Sequence, residues 1–132
     1  MTKGHVRKAV LIDDSDIDLF IQKRFLEVYQ FSDELLMYNS AEQALAALKG
    51  MADTAPEVIF LDLNMPEADG FTFLKNFATL PHRVADKSKI VVLTSSESNI
   101  DRDYVLSFHN VIHFITKPLK HSDIEDLKLI FR

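Results

Sequence analysis

Residues 58–62 have the sequence Val-Ile-Phe-Leu-Asp, in which four consecutive apolar residues are followed by an acid. Continuous apolar runs of this kind are typical of strands in a sheet that is covered by helices on both faces. Four other short runs rich in apolar residues are spaced along the chain, which predicts a five-stranded sheet. The predicted strands are Ala9–Ile12, Leu35–Tyr38, Val58–Leu61, Ile90–Leu93 and Val111–Ile115.

The segments between these strands carry apolar residues at helical spacing. The first of them predicts an amphipathic helix that has Lys23, Arg24 and Glu27 on its polar side. Its apolar stripe consists of Ile17, Phe20, Ile21, Phe25 and Val28.

Helix starts are indicated by capping residues. Ser40 with Gln43 and Ser122 with Glu125 have the spacing of capping boxes. The polar segment 82–89 is predicted to be a loop. Strands and helices therefore alternate as five βα units, and right-handed crossovers favour a doubly wound parallel sheet of the flavodoxin-like α/β class, with strand order 2-1-3-4-5.

The composition bounds the possible functions. The chain has 132 residues, a net charge of −5 and 47% hydrophobic residues, which indicates one domain with an ordinary core. It contains 0 cysteines, which excludes disulfides, zinc–thiolate sites and cysteine nucleophiles. The acidic balance disfavours direct binding of nucleic acid. Because the apolar runs are short, we expect no membrane insertion and a cytoplasmic location.

Chemically reactive side chains follow the predicted strands. Asp13 and Asp14 follow the first strand, Asp62 the third, Thr94 the fourth and Lys117 the fifth. In an open parallel sheet the ligand site lies beyond the carboxyl ends of the strands. We therefore expect these side chains to meet in one crevice.

Three carboxylates in one crevice need a positive partner. At about 4 Å and an effective dielectric constant near 20, each close pair repels by about 4 kcal/mol. An all-oxygen set of ligands indicates a hard cation, and a site with few protein ligands favours Mg²⁺ over Ca²⁺. A calcium-binding loop starting at Asp14 is excluded, because Leu19 and Phe25 stand where such a loop needs Gly and Glu. For Asp16 and Asp18 we favour a simpler interpretation, in which both offset the dipole of the first helix.

Lys117 and Thr94 complete a receptacle for a phosphoryl group. A lysine and a hydroxyl on the far side of the crevice from the acids supply a fixed positive charge and a hydrogen-bond donor. Neither a lysine nor a threonine at such a position indicates a phosphoryl site by itself. Their combination with Asp14 and Asp62 at four strand ends is difficult to explain by packing.

The chain resembles the response-regulator receiver domains of two-component signalling, the family of the bacterial chemotaxis regulator. The resemblance extends from about Arg7 to Phe131 and rests on four motifs in family order and at family spacing. They are Val10-Leu11-Ile12-Asp13-Asp14, Leu61-Asp62-Leu63-Asn64-Met65-Pro66 with Asp69-Gly70, Leu93-Thr94-Ser95, and Phe114-Ile115-Thr116-Lys117-Pro118.

The resemblance implies specific roles for the site residues. Asp62 would accept a phosphoryl group from a phosphohistidine. Asp14, Asp62 and the backbone carbonyl of Asn64 would bind Mg²⁺, and Asp13 would hold it through water. Lys117 would bind a phosphoryl oxygen and help to keep Asp62 ionised.

The resemblance also implies a switch. Thr94 would bind the phosphoryl group, the small side chain of Ser95 would leave room for it, and Phe114 would respond in the fifth strand. The Lys117–Pro118 peptide bond would be cis. The surface formed by the fourth predicted helix, the fifth strand and the last helix would then change its packing and regulate a protein partner.

We expect a single receiver domain over residues 1–132 without an output domain. Its partners would be a sensor histidine kinase or a histidine phosphotransfer protein, together with a downstream protein, and it would be a monomer or a phosphorylation-dependent homodimer. It would catalyse only its own phosphorylation and slow dephosphorylation. The alternatives are a phosphate sink or relay intermediate, a flavin-binding module, and an aspartyl-phosphate phosphatase, which Asn64 disfavours because such enzymes have a second Asp at that position.

Overall fold

The computed structural model describes residues 4–51, 53–63, 70–94 and 99–131. Its centre is a sheet of five parallel strands in the order β2-β1-β3-β4-β5. Fold class and strand order are therefore confirmed. The strands are β1 Val6–Ile12, β2 Ser32–Tyr38, β3 Val58–Asp62, β4 Lys89–Thr94 and β5 Val111–Thr116.

Helices connect the strands, and α2 begins where the sequence predicts. Ser40 caps α2, since its hydroxyl accepts a hydrogen bond from the Gln43 N–H at 3.1 Å. The helices are α1 Asp16–Val28, α2 Ala41–Lys49, α3 Gly70–Phe77, α4 His82–Ala85, α5 Asn99–Leu106 and α6 His121–Ile130.

Two apolar layers enclose the sheet because successive strand residues point to opposite faces. Val10 and Ile12 belong to a layer that is completed by α2, α3 and α5. Ala9 and Leu11 belong to the layer that is completed by α1 and α6. The continuous apolar runs of the central strands follow from this two-sided cover.

The predicted orientation of α1 is wrong. Apart from Phe25, which packs against the core, its predicted apolar stripe faces outward: Ile17 is 72% exposed and Val28 is 66% exposed. The buried side carries Leu19, Gln22 and Leu26 instead. Both sets have helical spacing, so periodicity alone did not distinguish them, and the rotation of the helix is fixed by contacts outside it.

Three other predictions differ from the structure. Segment 82–89 contains the one-turn helix α4 and was predicted to be a loop. Strands β1 and β2 each begin three residues before their predicted starts. Helix α6 begins at His121, not after a Ser122 cap, because the Asp123 carboxylate accepts a hydrogen bond from the Lys120 N–H at 2.8 Å.

In the part of the chain that the structure describes, we find no helix that combines the length and the apolarity needed to cross a bilayer.

Candidate phosphoacceptor site

Three carboxylates meet at the carboxyl edge of the sheet. Strands β1 and β3 are neighbours, with Ile12 paired to Leu61, so that Asp13 and Asp62 lie side by side at the strand ends. Asp13, Asp14 and Asp62 each offer an oxygen atom, and these atoms lie within 4.8 Å of one another. Asp13 and Asp62 are buried, and Asp14 is exposed. The structure thus brings together the predicted acids.

Asp13 is held by contacts from three directions. Its Oδ1 atom accepts a hydrogen bond from the Ser15 N–H at 3.0 Å. Its Oδ2 atom accepts from Gln22 Nε2 at 3.3 Å and from Lys117 Nζ at 2.8 Å. A buried carboxylate needs such partners, because an unsatisfied charge inside a protein is costly.

Lys117 faces three carboxylates. The Lys117 N–H donates to the Thr94 carbonyl at 2.8 Å, which fixes its backbone beside the end of β4. Its Nζ atom lies 2.8 Å from Asp13 Oδ2, 3.0 Å from Asp18 Oδ2 and 3.5 Å from Asp62 Oδ1. The Lys117–Pro118 peptide bond is cis, as the resemblance implies.

The charge of Lys117 is stabilised at this position. Burial by itself would lower the pKa of the Lys117 ammonium, but the hydrogen bonds to Asp13 and Asp18 and the charge of Asp62 outweigh it. The net pKa lies above the ordinary value of a lysine. Lys117 is therefore a permanent cation at neutral pH.

Two predicted switch residues lie on the neighbouring strands β4 and β5. Thr94 is buried at the end of β4, the strand next to β3. Phe114 is partly buried against the layer formed with α2, α3 and α5. The guanidinium of Arg102, on α5, lies 6.0 Å from the centre of the Phe114 ring, within the range of a cation–π contact. Asn64 and Ser95, for which roles were also predicted, lie outside the described residues.

The sequence interpretation missed two residues of the site. Asp18 contacts Lys117, and Gln22 contacts Asp13. The sequence alone indicates only an interaction with the helix dipole for Asp18 and no role for Gln22. Their spacing of four residues places both on one side of α1. If the rotation of α1 were known, this spacing would predict that Asp18 and Gln22 both face the site.

The carboxylate cluster fits a divalent cation of the Mg²⁺ type. It offers only oxygen atoms, and it concentrates more negative charge than Lys117 neutralises. Opposite ligands of an octahedral Mg²⁺ ion are about 4 Å apart, which is compatible with the spacing of these oxygens. The donor set therefore suits a small, hard cation.

Comparison with known families agrees with this geometry. The family model for the response regulator receiver domain matches residues 9–128. The chain belongs to this family. Receiver domains of two-component signalling typically bind Mg²⁺ in an acidic pocket, and Asp13, Asp14 and Asp62 form an acidic cluster in this chain.

Individual relatives show the extent of the similarity. A receiver protein from Dyadobacter fermentans has 27% identity and a TM-score of 0.85, with 95% of this chain and 97% of that protein covered. A phosphorylated cyanobacterial phytochrome response regulator has 25% identity and a TM-score of 0.72, with coverage of 96% and 89%. A protein-glutamate methylesterase/protein-glutamine glutaminase from Rhodospirillum rubrum is 34% identical over 113 residues, which are 84% of this chain. The chain spans 28% of the length of that relative.

Proposed function

We propose that this receiver domain accepts a phosphoryl group on Asp62 and transmits the modification to a protein partner. The observation that supports the proposal is the convergence of Asp13, Asp14 and Asp62 with Lys117 at one edge of the sheet. Structural roles alone do not require four charged groups at this place. A site for a charged ligand does.

The reaction would be a displacement at phosphorus. A carboxylate oxygen of Asp62 attacks the phosphorus of a phosphohistidine, the new P–O bond forms, and the P–N bond breaks. The leaving imidazole takes up a proton from solvent. Lys117 neutralises negative charge on the transferred group, and Thr94 donates a hydrogen bond to it. Catalysis would depend on positioning and charge, so that no dedicated general acid is needed.

The Mg²⁺ ion would be held by Asp14, Asp62 and the backbone carbonyl of Asn64, and by Asp13 through water. The bound ion would supply charge neutralisation, which lets an anionic phosphoryl donor approach an anionic acceptor. Asp62 would provide the nucleophile, and Lys117 would provide a second positive charge.

We further propose that the domain does not act as a phosphatase on other substrates. Phosphatases of the haloacid-dehalogenase type, which act through an aspartyl phosphate, use a second Asp two residues after the nucleophile, and this chain has Asn64 there. A phosphoryl group on Asp62 would then persist long enough to carry a signal.

The protein that carries the phosphohistidine would dock on the exposed stripe of α1. This stripe comprises Ile17, Phe20, Ile21 and Val28, which are all largely exposed. It continues to the site, because Ile21 and Lys117 line the same recess of about 120 Å³. A donor residue that reaches Asp62 from this side brings its own protein against α1. The partner would be a cytoplasmic sensor kinase or a histidine phosphotransfer protein.

This docking surface makes a distinct prediction. Phe20→Glu should slow phosphotransfer from a histidine kinase of the same organism by about tenfold or more, because it places a charge in an apolar interface. Phosphorylation by acetyl phosphate, which needs no docking surface, should be unchanged. Equal rates of transfer from the kinase to both forms would exclude this surface.

The output would leave through the surface formed by α5, β5 and α6. Phosphorylation would draw Thr94 toward the phosphoryl group and change the packing of Phe114 beneath Arg102. Tyr104 and Leu106 of α5 are exposed and available to a downstream protein. Hydrogen exchange over residues 99–116 should change on phosphorylation, and an unchanged profile there would contradict this route.

The proposed acceptor activity can be tested on the purified protein. Incubation with acetyl phosphate and Mg²⁺ should add the mass of one phosphoryl group, and an excess of chelator should prevent the addition. The adduct should be stable in acid and labile in alkali, as acyl phosphates are. An unmodified mass with Mg²⁺ present would contradict the proposal.

A further inference from the structure

Asp18 lies beside the carboxylate cluster and contacts its cation. The Oδ2 atom of Asp18 is 3.0 Å from Lys117 Nζ, and the Asp18 side chain is 41% exposed. Among the described residues, the acids close enough to share one metal ion are Asp13, Asp14 and Asp62. We propose that Asp18 is a positioning residue that holds the Lys117 ammonium at the site while those acids bind the divalent cation.

Lys117 needs such a partner because its other carboxylate neighbours have a second role. Asp13 and Asp62 contact Lys117, and both belong to the group that fits a metal ion. A cation bound there neutralises the charge that attracts the ammonium, and it also repels the ammonium directly. The lysine stem is flexible, so an ammonium without a partner moves away. Asp18 is not one of the acids placed to share the metal ion, so a bound cation leaves its contact with Lys117 in place.

Helix α1 gives Asp18 a fixed place. Asp18 lies in the first turn, where its N–H donates to the Ser15 hydroxyl at 3.2 Å. One turn later, Gln22 donates to Asp13 Oδ2 at 3.3 Å. The same side of the helix therefore positions both Lys117 and Asp13. On this side α1 buries Gln22 together with Leu19 and Leu26.

The inference rests on the proposed phosphorylation of Asp62. Removing the charge of Asp18 should slow phosphorylation by acetyl phosphate, because Lys117 is then held less often beside Asp62. The Asp18–Lys117 pair is partly exposed, and the expected decrease in rate is about two- to fivefold. Affinity for Mg²⁺ should change less than the rate, because Asp18 is not placed among the metal ligands.

The experiment compares three variants with the wild type at saturating Mg²⁺. Asp18→Asn keeps the shape of the side chain and removes its charge. Asp16→Asn is the matched control: it removes the same charge from the same turn of α1, and Asp16 is not among the carboxylates that Lys117 contacts in the described residues. Asp18→Glu restores a carboxylate within reach of Lys117. Phosphorylation rates with acetyl phosphate, dissociation constants for Mg²⁺ and melting temperatures are measured for each protein.

We expect Asp18→Asn to be phosphorylated more slowly than the wild type, and Asp18→Glu and Asp16→Asn to be phosphorylated at about the wild-type rate. The dissociation constants for Mg²⁺ should be similar in all four proteins. Equal rates for Asp18→Asn and wild type would overturn the positioning role and leave the proposed function intact. A decrease of the same size in Asp16→Asn would assign the effect to helix charge and would also overturn it. A wild type that takes up no phosphoryl group would overturn both proposals.

Discussion

Lys117 and Asp62 form an ion pair across the carboxyl edge of the sheet, with Nζ and Oδ1 3.5 Å apart. The same ammonium is closer to Asp13, at 2.8 Å. The Lys117 ammonium therefore lies within ion-pair distance of Asp62, while its shorter contact is to Asp13. A phosphoryl group on Asp62 would meet a cation that is already in place.

Replacement of Lys117 should affect both stability and phosphorylation. Lys117→Met leaves Asp13 with one donor fewer in a buried position, and the expected cost without Mg²⁺ is about 1.5–3 kcal/mol of unfolding free energy. Phosphorylation by acetyl phosphate should fall by about tenfold or more. Urea unfolding and intact-mass kinetics measure the two effects. Lys120→Met, at an exposed lysine nearby, serves as control, and equal behaviour of the two variants would refute the assigned role.

Mg²⁺ should stabilise the folded protein by relieving repulsion among the acids. At about ten times its dissociation constant, a ligand that binds only the folded state adds about 1.4 kcal/mol. For a domain of this size that corresponds to an increase in melting temperature of about 3–6 °C. Asp14→Ala should abolish the increase, and Asp16→Ala should retain it. If the melting temperature does not respond to Mg²⁺, the carboxylate cluster is not a metal site.

The raised pKa of Lys117 predicts the pH range over which its contacts act. The pKa of Lys117 is higher in the folded protein than its ordinary value of 10.5, so the folded state holds the proton more tightly. The stabilising contribution is complete below the unfolded pKa and disappears as the pH rises through the folded one. The difference in unfolding free energy between wild type and Lys117→Met should thus be constant from about pH 7 to pH 9 and decrease above about pH 10.5. A difference that already disappears near neutral pH would contradict the ion-pair arrangement.

The close approach of α3 to β3 predicts that a side chain in place of Gly70 destabilises the protein. A Cβ atom on Gly70 would lie 2.9 Å from Leu63 Cα and 3.1 Å from the Asp62 carbonyl oxygen. Gly70→Ala must therefore displace backbone beside Asp62, at a cost of about 1–3 kcal/mol. Gly50→Ala is the control, because among the described residues the Cβ would meet only the Ala47 carbonyl oxygen at 3.6 Å. Chemical denaturation of both variants distinguishes the two positions, and equal stabilities would refute the contact.

The fold and the acid cluster were predictable from the sequence because both depend on simple patterns. Strands that are buried on both faces, such as Val58–Asp62, are continuous apolar runs. The residues after parallel strands share one edge, which places Asp13 near Asp62 whatever the helices do. The position of Lys117 at this edge is predicted by the same rule, because Lys117 comes directly after β5.

The orientation of α1 was not predictable in this way. Apolar residues occur on two sides of the helix, so Leu19 with Leu26 and Phe20 with Val28 both have helical spacing. The buried polar contact between Gln22 and Asp13 agrees with the observed rotation. The role of Asp18 depends on that rotation. A side chain whose partner lies on a distant part of the chain has no local signal in the sequence.

The most direct test of the central claim is the location of the phosphoryl group. Borohydride reduces an acyl phosphate to an alcohol and releases phosphate, so that a phosphorylated aspartate becomes homoserine. After treatment with acetyl phosphate and Mg²⁺, followed by borohydride and peptide mass mapping, we expect homoserine at position 62 and none in an Asp62→Asn variant. Homoserine at another aspartate, or at none, in a folded wild-type protein would contradict the account.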